Sequence, residues 1–404
     1  MSSSSGWLTS ISSRLVRFQN YKHLWILGDV LAPFAITRLA IMFIAWFSQY
    51  FVPNPDYPIK AAIQRGWHFS PYKLLDIWAR WDTGWYLNII QQGYKVRDIT
   101  SEQSNIVFFP LYPFLVRLVS YLIPSSLRTS GKLLLIGILL SNLFFLIALI
   151  LLYKLVVGLF NNQTIARRSV WYLLLFPTSF FFSCFYTEAT FLLLCVGVFY
   201  AASREKWVIA SLLGCLLALS RPLGVLIVVP LAWMYIEKRN WKFTKIRADA
   251  AWFILIPIGL FAFLIYAYSL TGDLFTPLHA QAAWSKNGIT TPWQTLFDPT
   301  SLDYAYYITR IDQSLTIIFI VLSLVSLKLL PSASFGIYSL LLILLPTLTG
   351  NLISQSRYLV VVFPAFIVMA LAGRWRIVNQ VITIMSFGMQ VLFVAAWARF
   401  YWIA

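Results

Sequence analysis

Apolar runs and short polar breaks alternate along the chain from near Val30 onward. Several runs reach the ~20 residues that cross a hydrocarbon core as a helix. The pattern predicts an all-α polytopic membrane protein with a bundle of about eleven transmembrane helices. The spans fall at Val30–Val52, Lys132–Phe160, Val170–Cys184, Thr187–Ala202, Val208–Ser220, Leu223–Ile236, Ala250–Leu270, Leu315–Leu330, Phe335–Ser354, Tyr358–Ala372 and Val378–Phe400. Two long loops, about residues 53–131 and 271–312, interrupt them. Residues 1–29 read as a cytoplasmic segment and residues 30–404 as a single membrane domain. The first run is too long for the h-region of a cleaved signal peptide, so it reads as a signal anchor. Ile106–Ile123 is also apolar, but Pro110 and Pro113 interrupt it. It reads as a broken helix at the outer interface, because counting it as a span inverts everything downstream.

The cations set the orientation. With residues 1–29 inside, the short loops that carry Arg167, Arg168, Arg204, Lys206, Lys238, Arg239, Lys242, Lys245, Arg374 and Arg376 all fall inside. Only Glu205, Glu237 and Asp249 oppose them in those loops. This is the positive-inside pattern, and it places both long loops outside with nearly all the acids. Composition agrees with the membrane reading: 60% of residues are hydrophobic and 11% charged, too little polar surface for a soluble domain. The net charge of +17 thus reflects loop topology, and no nucleic-acid partner is implied. Cys184, Cys195 and Cys215 lie in apolar stretches without ligand spacing, and His23, His68 and His279 are isolated. Nothing in these spacings asks for a cofactor or a metal.

Three groups of residues can carry chemistry. The first is the segment Asp76–Tyr94, where Trp78, Trp81, Trp85 and Ile89 recur at helical spacing and can seat a helix on the membrane surface. Asp76 and Arg80 stand four apart in the favourable order for an ion pair. Asp82 lies beside the tryptophan stripe, where a low dielectric favours a usable base; the alternative is an N-cap for a helix starting at Thr83. The second group is Glu188, Arg221 and Arg357, ionisable residues inside apolar stretches, where charge is costly and tends to face a cavity. The topology sets all three near the outer ends of their spans, level with Asp82. Two arginines and two carboxylates there suit a lipid-linked phosphate, and the alternative is snorkelling or helix pairing. Arg38 reads as a snorkelling or structural residue. The third group is the loop Thr271–Asn287, where Asp273, His279, Gln281 and Trp284 suit hydrogen bonding to and stacking on a sugar, or are ordinary interface residues.

Six segments, in order, resemble the PIG-V family of mannosyltransferases within the GT-C class of membrane glycosyltransferases. They are RWDTGWYLNIIQQGY (Arg80–Tyr94), FFPLYPFLVRL (Phe108–Leu118), FPTSFFFSCFYTEATF (Phe176–Phe191), SRPLG (Ser220–Gly224), the GD…HAQAAW loop (Gly272–Trp284) and SRYLVVVFP (Ser356–Pro364). The resemblance implies a GT-C-like bundle, a polyprenyl- or dolichyl-phosphate sugar donor, and an acidic general base in the first outer loop. By that pattern Asp82 is the base, with Arg80 and Trp81 beside it; Asp76, Glu188, Arg221, Asp273, His279, Arg357 and Tyr358 complete the candidate substrate-binding set. The acceptor is then a lipid-linked molecule or glycan at the non-cytoplasmic face, within a surround of membrane lipids. Short inner loops, and an Asn-x-Thr sequon at Asn162 that falls inside, point to a bacterial plasma membrane; a eukaryotic member sits in the endoplasmic reticulum. Two rival classes remain open at this point, a lipid or sugar transporter and a non-catalytic subunit of a glycosylation complex. No internal repeat of the transporter kind is visible in the chain.

Overall fold

A computed structural model describes residues 25–53, 68–95, 102–284, 290–297 and 306–403, apart from the side chains of Trp284, Tyr306 and Tyr307. Most of the expected cytoplasmic segment lies outside these residues, as does the side chain of Trp284. Every regular element among the described residues is helical. Five helices are long and apolar enough to cross a membrane: Ile26–Phe51, Ser130–Phe160, Ala248–Thr271, Ile308–Leu329 and Arg376–Ala398. The other expected spans appear as apolar helices of 10–17 residues, among them Glu188–Ser203, Trp207–Ala218, Pro222–Glu237, Ser334–Thr347 and Phe363–Ala372. The helical membrane architecture therefore stands, while the count of eleven full spans is not established by helix length. The interrupted run after residue 106 behaves as its prolines dictate: a turn at Asn105–Val107, then a short helix Leu111–Ser120 starting just after Pro110.

The Ser130–Phe160 helix is apolar all round, as a helix enclosed by others and by lipid must be. It packs along Glu188–Ser203 and Gln163–Leu175. At its end Asn161 adopts φ 49°, and Asn162 then caps the following helix by accepting from the N–H groups of Thr164 and Ile165. The sequon asparagine is thus a helix cap.

One expected span is drawn differently. Hydropathy predicts a helix over Val170–Cys184, but the helix is Gln163–Leu175, followed by a buried 3-10 turn, Ser179–Ser183. Pro177 stops the helix, since it cannot donate to the ladder and disfavours helical geometry in the residue before it. That break leaves carbonyls without partners deep in the bundle, where no water can satisfy them. Arg38 supplies the missing donors, reaching the carbonyls of Ser179 (3.1 Å) and Leu174 (3.5 Å) and the hydroxyl of Ser183 (3.1 Å). Gln390 donates to the carbonyls of Leu174 and Phe176, each at 3.0 Å. Arg38 is 6% exposed and does not snorkel; its task is to hold a broken helix.

Candidate active site

Four irregular segments meet at one end of the bundle. The first is the loop 76–82, whose own carbonyls are held by two core side chains and one backbone N–H. Trp397 Nε1 donates to Ile77 O (2.9 Å), the Phe185 N–H to Trp78 O (3.1 Å), and Tyr186 Oη to Arg80 O (2.9 Å). Tyr186 Oη also accepts from the N–H of Asp82 at 3.2 Å. Trp81 turns the chain with φ 47°, and the helix Thr83–Gln92 begins. The tryptophan stripe accordingly does not lie on the membrane surface. Trp78 and Ile89 are buried in the protein, and the left-handed Trp81 ends any continuous helix through the segment.

The second segment, Phe176–Thr187, delivers Glu188 at the first position of its helix, with no exposed surface. The third is the turn between Trp207–Ala218 and Pro222–Glu237, which sets Arg221 in extended backbone. Gly224 lets this turn close, because a Cβ there would lie 2.1 Å from the carbonyl oxygen of Leu217. The fourth is the short helix Gln355–Leu359, which carries Arg357 and Tyr358. Its approach is fixed from the earlier helix Tyr306–Leu329, where the buried Asp312 accepts from the N–H of Ser356 at 2.9 Å. Thr178 closes the circle by donating to Ser356 O at 2.9 Å.

The charges brought together form one chain. Arg357 Nη1 donates to Asp82 Oδ2 at 2.7 Å, and Arg357 Nε lies 3.3 Å from Glu188 Oε1. Arg221 Nη2 bonds the same Glu188 oxygen, and Arg221 Nε donates to Thr187 Oγ1 at 2.8 Å. Asp82 therefore stands at the N-cap position of its helix without capping it; its carboxylate goes to Arg357. Its other oxygen, Oδ1, takes no hydrogen bond among the described residues, and the same holds for Nη1 of Arg221 and Nη2 of Arg357. Glu188 is the buried hinge on which both guanidiniums are oriented.

Asp82, Arg221, Arg357 and Tyr358 border a cavity of about 330 Å³. Its remaining walls are largely apolar and include Leu223, Leu342, Leu345 and Ile353. Such a site offers a carboxylate, two guanidiniums and a hydrocarbon slot in one space. Trp402 and Gln281 also line it.

The other candidates sit elsewhere. Asp76 is buried and saturated: Oδ1 accepts from the N–H groups of Phe69 (2.8 Å) and Ser70 (3.2 Å), and Oδ2 meets Arg80 Nη1 (2.9 Å) and His68 Nδ1 (2.8 Å). Neither Asp76 nor Arg80 borders the cavity, and Trp81 stands behind Trp402. Asp273 and His279 pair with each other at 2.7 Å on an exposed loop, also off the cavity wall, although their neighbour Leu278 reaches it. The N–H of Phe275 and then His279 hold the Asp273 carboxyl below the usual carboxylate range. Sequence reasoning missed Tyr186, Thr187 and Trp402. The first two directly precede Glu188, so a charge in an apolar run was a signal to examine its neighbours.

Comparison with known proteins gives the family. A family model described as Mannosyltransferase (PIG-V) matches residues 69–270, half of the chain. The chain is accordingly, by class, a member of a glycosyltransferase family. It belongs to the PIG-V mannosyltransferase family. The matched region contains Asp82, Glu188 and Arg221, while Arg357 and Trp402 lie beyond it. Among solved structures, the Archaeoglobus fulgidus oligosaccharyltransferase AglB in complex with an inhibitory peptide and a dolichol-phosphate is 12% identical, with a TM-score of 0.46, covering 95% of this chain and 56% of its own. The apo form of the A. fulgidus enzyme is 13% identical, with a TM-score of 0.46 and coverages of 95% and 57%. This chain thus spans somewhat more than half the length of those two proteins. No curated protein matches it.

Proposed function

We propose that the protein transfers a sugar, mannose by family, from a polyprenyl- or dolichyl-phosphate donor to a hydroxyl of a lipid-linked or glycan acceptor. The observation that carries this reading is the Asp82–Arg357–Glu188–Arg221 chain at the edge of an apolar-walled cavity. The isoprenoid tail occupies the apolar slot, and the donor phosphate takes the remaining N–H groups of Arg221 and Arg357. Guanidinium groups suit this task because they bind phosphate oxygens bidentately and remain charged.

Asp82 accepts the proton of the acceptor hydroxyl. The hydroxyl oxygen forms the new bond to the anomeric carbon from the side opposite the lipid. The bond from that carbon to the phosphate oxygen breaks, and its electron pair leaves with the lipid phosphate, so the anomeric centre inverts. A phosphate is a good leaving group, and positioning, one base and charge stabilisation of the departing oxygen supply the catalysis. The positive-inside pattern supports a site at the non-cytoplasmic face. Purified protein given radiolabelled polyprenyl-phosphate mannose and a lipid extract as acceptor should release polyprenyl phosphate as label moves. Movement of intact donor across vesicles without turnover would refute the transferase reading in favour of a flippase.

A further inference from the structure

Trp402 reaches the cavity by a route that no motif marks. The Arg376–Ala398 helix is clamped at its end to the first span: Gln49 Nε2 donates to Ala398 O (2.8 Å), and Arg399 Nη1 donates to Gln49 O (3.1 Å). Phe400 then takes φ 65°, left-handed geometry that costs a bulky side chain and needs surroundings to hold it. Those surroundings come from the loop that carries Asp82. The Arg80 guanidinium lies 3.8 Å from the centroid of the Phe400 ring, and His68 meets the same ring edge-on at 5.1 Å. The N–H of Tyr401 donates to Ala396 O at 3.0 Å, so the bend is also closed on itself. Trp402 follows and packs against Trp81 at 4.8 Å with the ring planes 73° apart.

This gives the Asp76–Arg80 pair a purpose. Asp76, with its backbone and His68 contacts, fixes Arg80; Arg80 fixes Phe400; and Phe400 fixes Trp402 in the wall that Asp82 shares. Of the other aromatic side chains of that wall, Tyr86, Phe109 and Phe191 are buried in packing, whereas Phe108 and Tyr358 are half-buried. Trp402 is half-buried, and Trp81 is its one ring neighbour among the described residues.

We infer that Trp402 is the platform on which the donor's hexose ring rests beside Asp82, with Arg80 as the residue that positions it. A hexose ring presents a face of C–H bonds whose slight positive charge matches the negative face of an indole. A platform of this kind orients the anomeric carbon without using the charged groups that hold the phosphate. The inference rests on the lipid-phosphate donor reading above.

The test measures binding of two lipids to the purified full chain, polyprenyl-phosphate mannose and bare polyprenyl phosphate. Wild-type protein should favour the mannosylated lipid. Trp402→Ala should weaken that lipid by roughly five- to tenfold, the scale of one good aromatic contact, and leave the bare lipid unchanged. Arg80→Lys keeps the charge opposite Asp76 but loses the guanidinium contact with the Phe400 ring, so it should show the same selective loss to a smaller degree. Equal weakening of both lipids by Trp402→Ala would overturn the platform and make residue 402 a general wall. No change in either would overturn it as well. Wild-type protein that binds neither lipid would overturn the donor reading, and the platform with it.

Discussion

Asp76 and Asp82 stand in one loop, each facing an arginine, yet the two pairs are built for different ends. Asp76 has four partners, two of them backbone N–H groups, and its side chain is 5% exposed. Among the described residues the Asp82 carboxylate takes one hydrogen bond and leaves an oxygen open, and it borders the cavity. A carboxylate saturated by its own loop is architecture, because nothing remains for a substrate to use. A carboxylate held by one guanidinium and otherwise open is oriented and still reactive. The lesson is that an Asp–Arg pair in a membrane protein is read from what its remaining oxygen faces.

The largest expected effect tests the open member. Asp82→Asn keeps the size and one acceptor for Arg357 but cannot take a proton, so turnover should fall roughly 10²- to 10⁴-fold. The assay is sugar transfer by purified protein whose thermal unfolding shows it to be folded. Near-wild-type turnover would erase the distinction between the two aspartates.

The saturated member should fail in the other currency. Asp76→Ala strands the buried Arg80 and the N–H groups of Phe69 and Ser70, and breaking a buried pair costs about 3–5 kcal/mol. A large drop in unfolding temperature is expected. A fully stable Asp76→Ala protein would show that the pair is not what holds this loop.

Arg221 and Arg357 share Glu188 but differ in their second task, since Arg357 alone also holds Asp82. Loss of a charge-assisted bond to phosphate is worth about 1.5–3 kcal/mol, or roughly ten- to a hundredfold in donor affinity. Arg221→Ala should show that loss in binding. Arg357→Ala should add a fall in turnover at saturating donor, because Asp82 is then unanchored. Unchanged donor affinity in both variants would remove the phosphate role.

Much of this was legible in the sequence, and for a physical reason. Glu188, Arg221 and Arg357 are conspicuous because charge in an apolar run is costly, and the loop cations set them at one level. Their linkage was not legible, since it depends on three turns and a loop meeting in space. The break after Leu175 was lost because hydropathy registers Phe176–Ser183 as apolar whether or not Pro177 ends the helix. Trp402 carries no periodic signal among 17 tryptophans; it gains meaning only when Phe400 turns left-handed onto Arg80. Arg38 reads from the sequence as either snorkelling or structural, because the carbonyls it serves belong to a break that the pattern hides.

The exposed pair Asp273–His279 supplies the smallest expected effect and a control for the rest. Both residues are off the cavity wall and solvated, so each can be changed without stranding a buried partner. With its carboxyl held low by the Phe275 N–H and by His279, Asp273 is charged throughout the range in which transfer would be assayed. The sign follows from that direction: what Asp273 contributes to the folded loop is complete above the ordinary carboxylate range, and is lost only as pH falls through its lowered value. Asp273→Asn should therefore leave the shape of the pH–rate profile between about pH 5 and 8 unaltered. A profile that shifts in this variant would mean that the loop titrates in concert with the site. The pair would then have to close over the cavity through Leu278 and Gln281, and the clean division between the open carboxylate and the saturated one would need a third member.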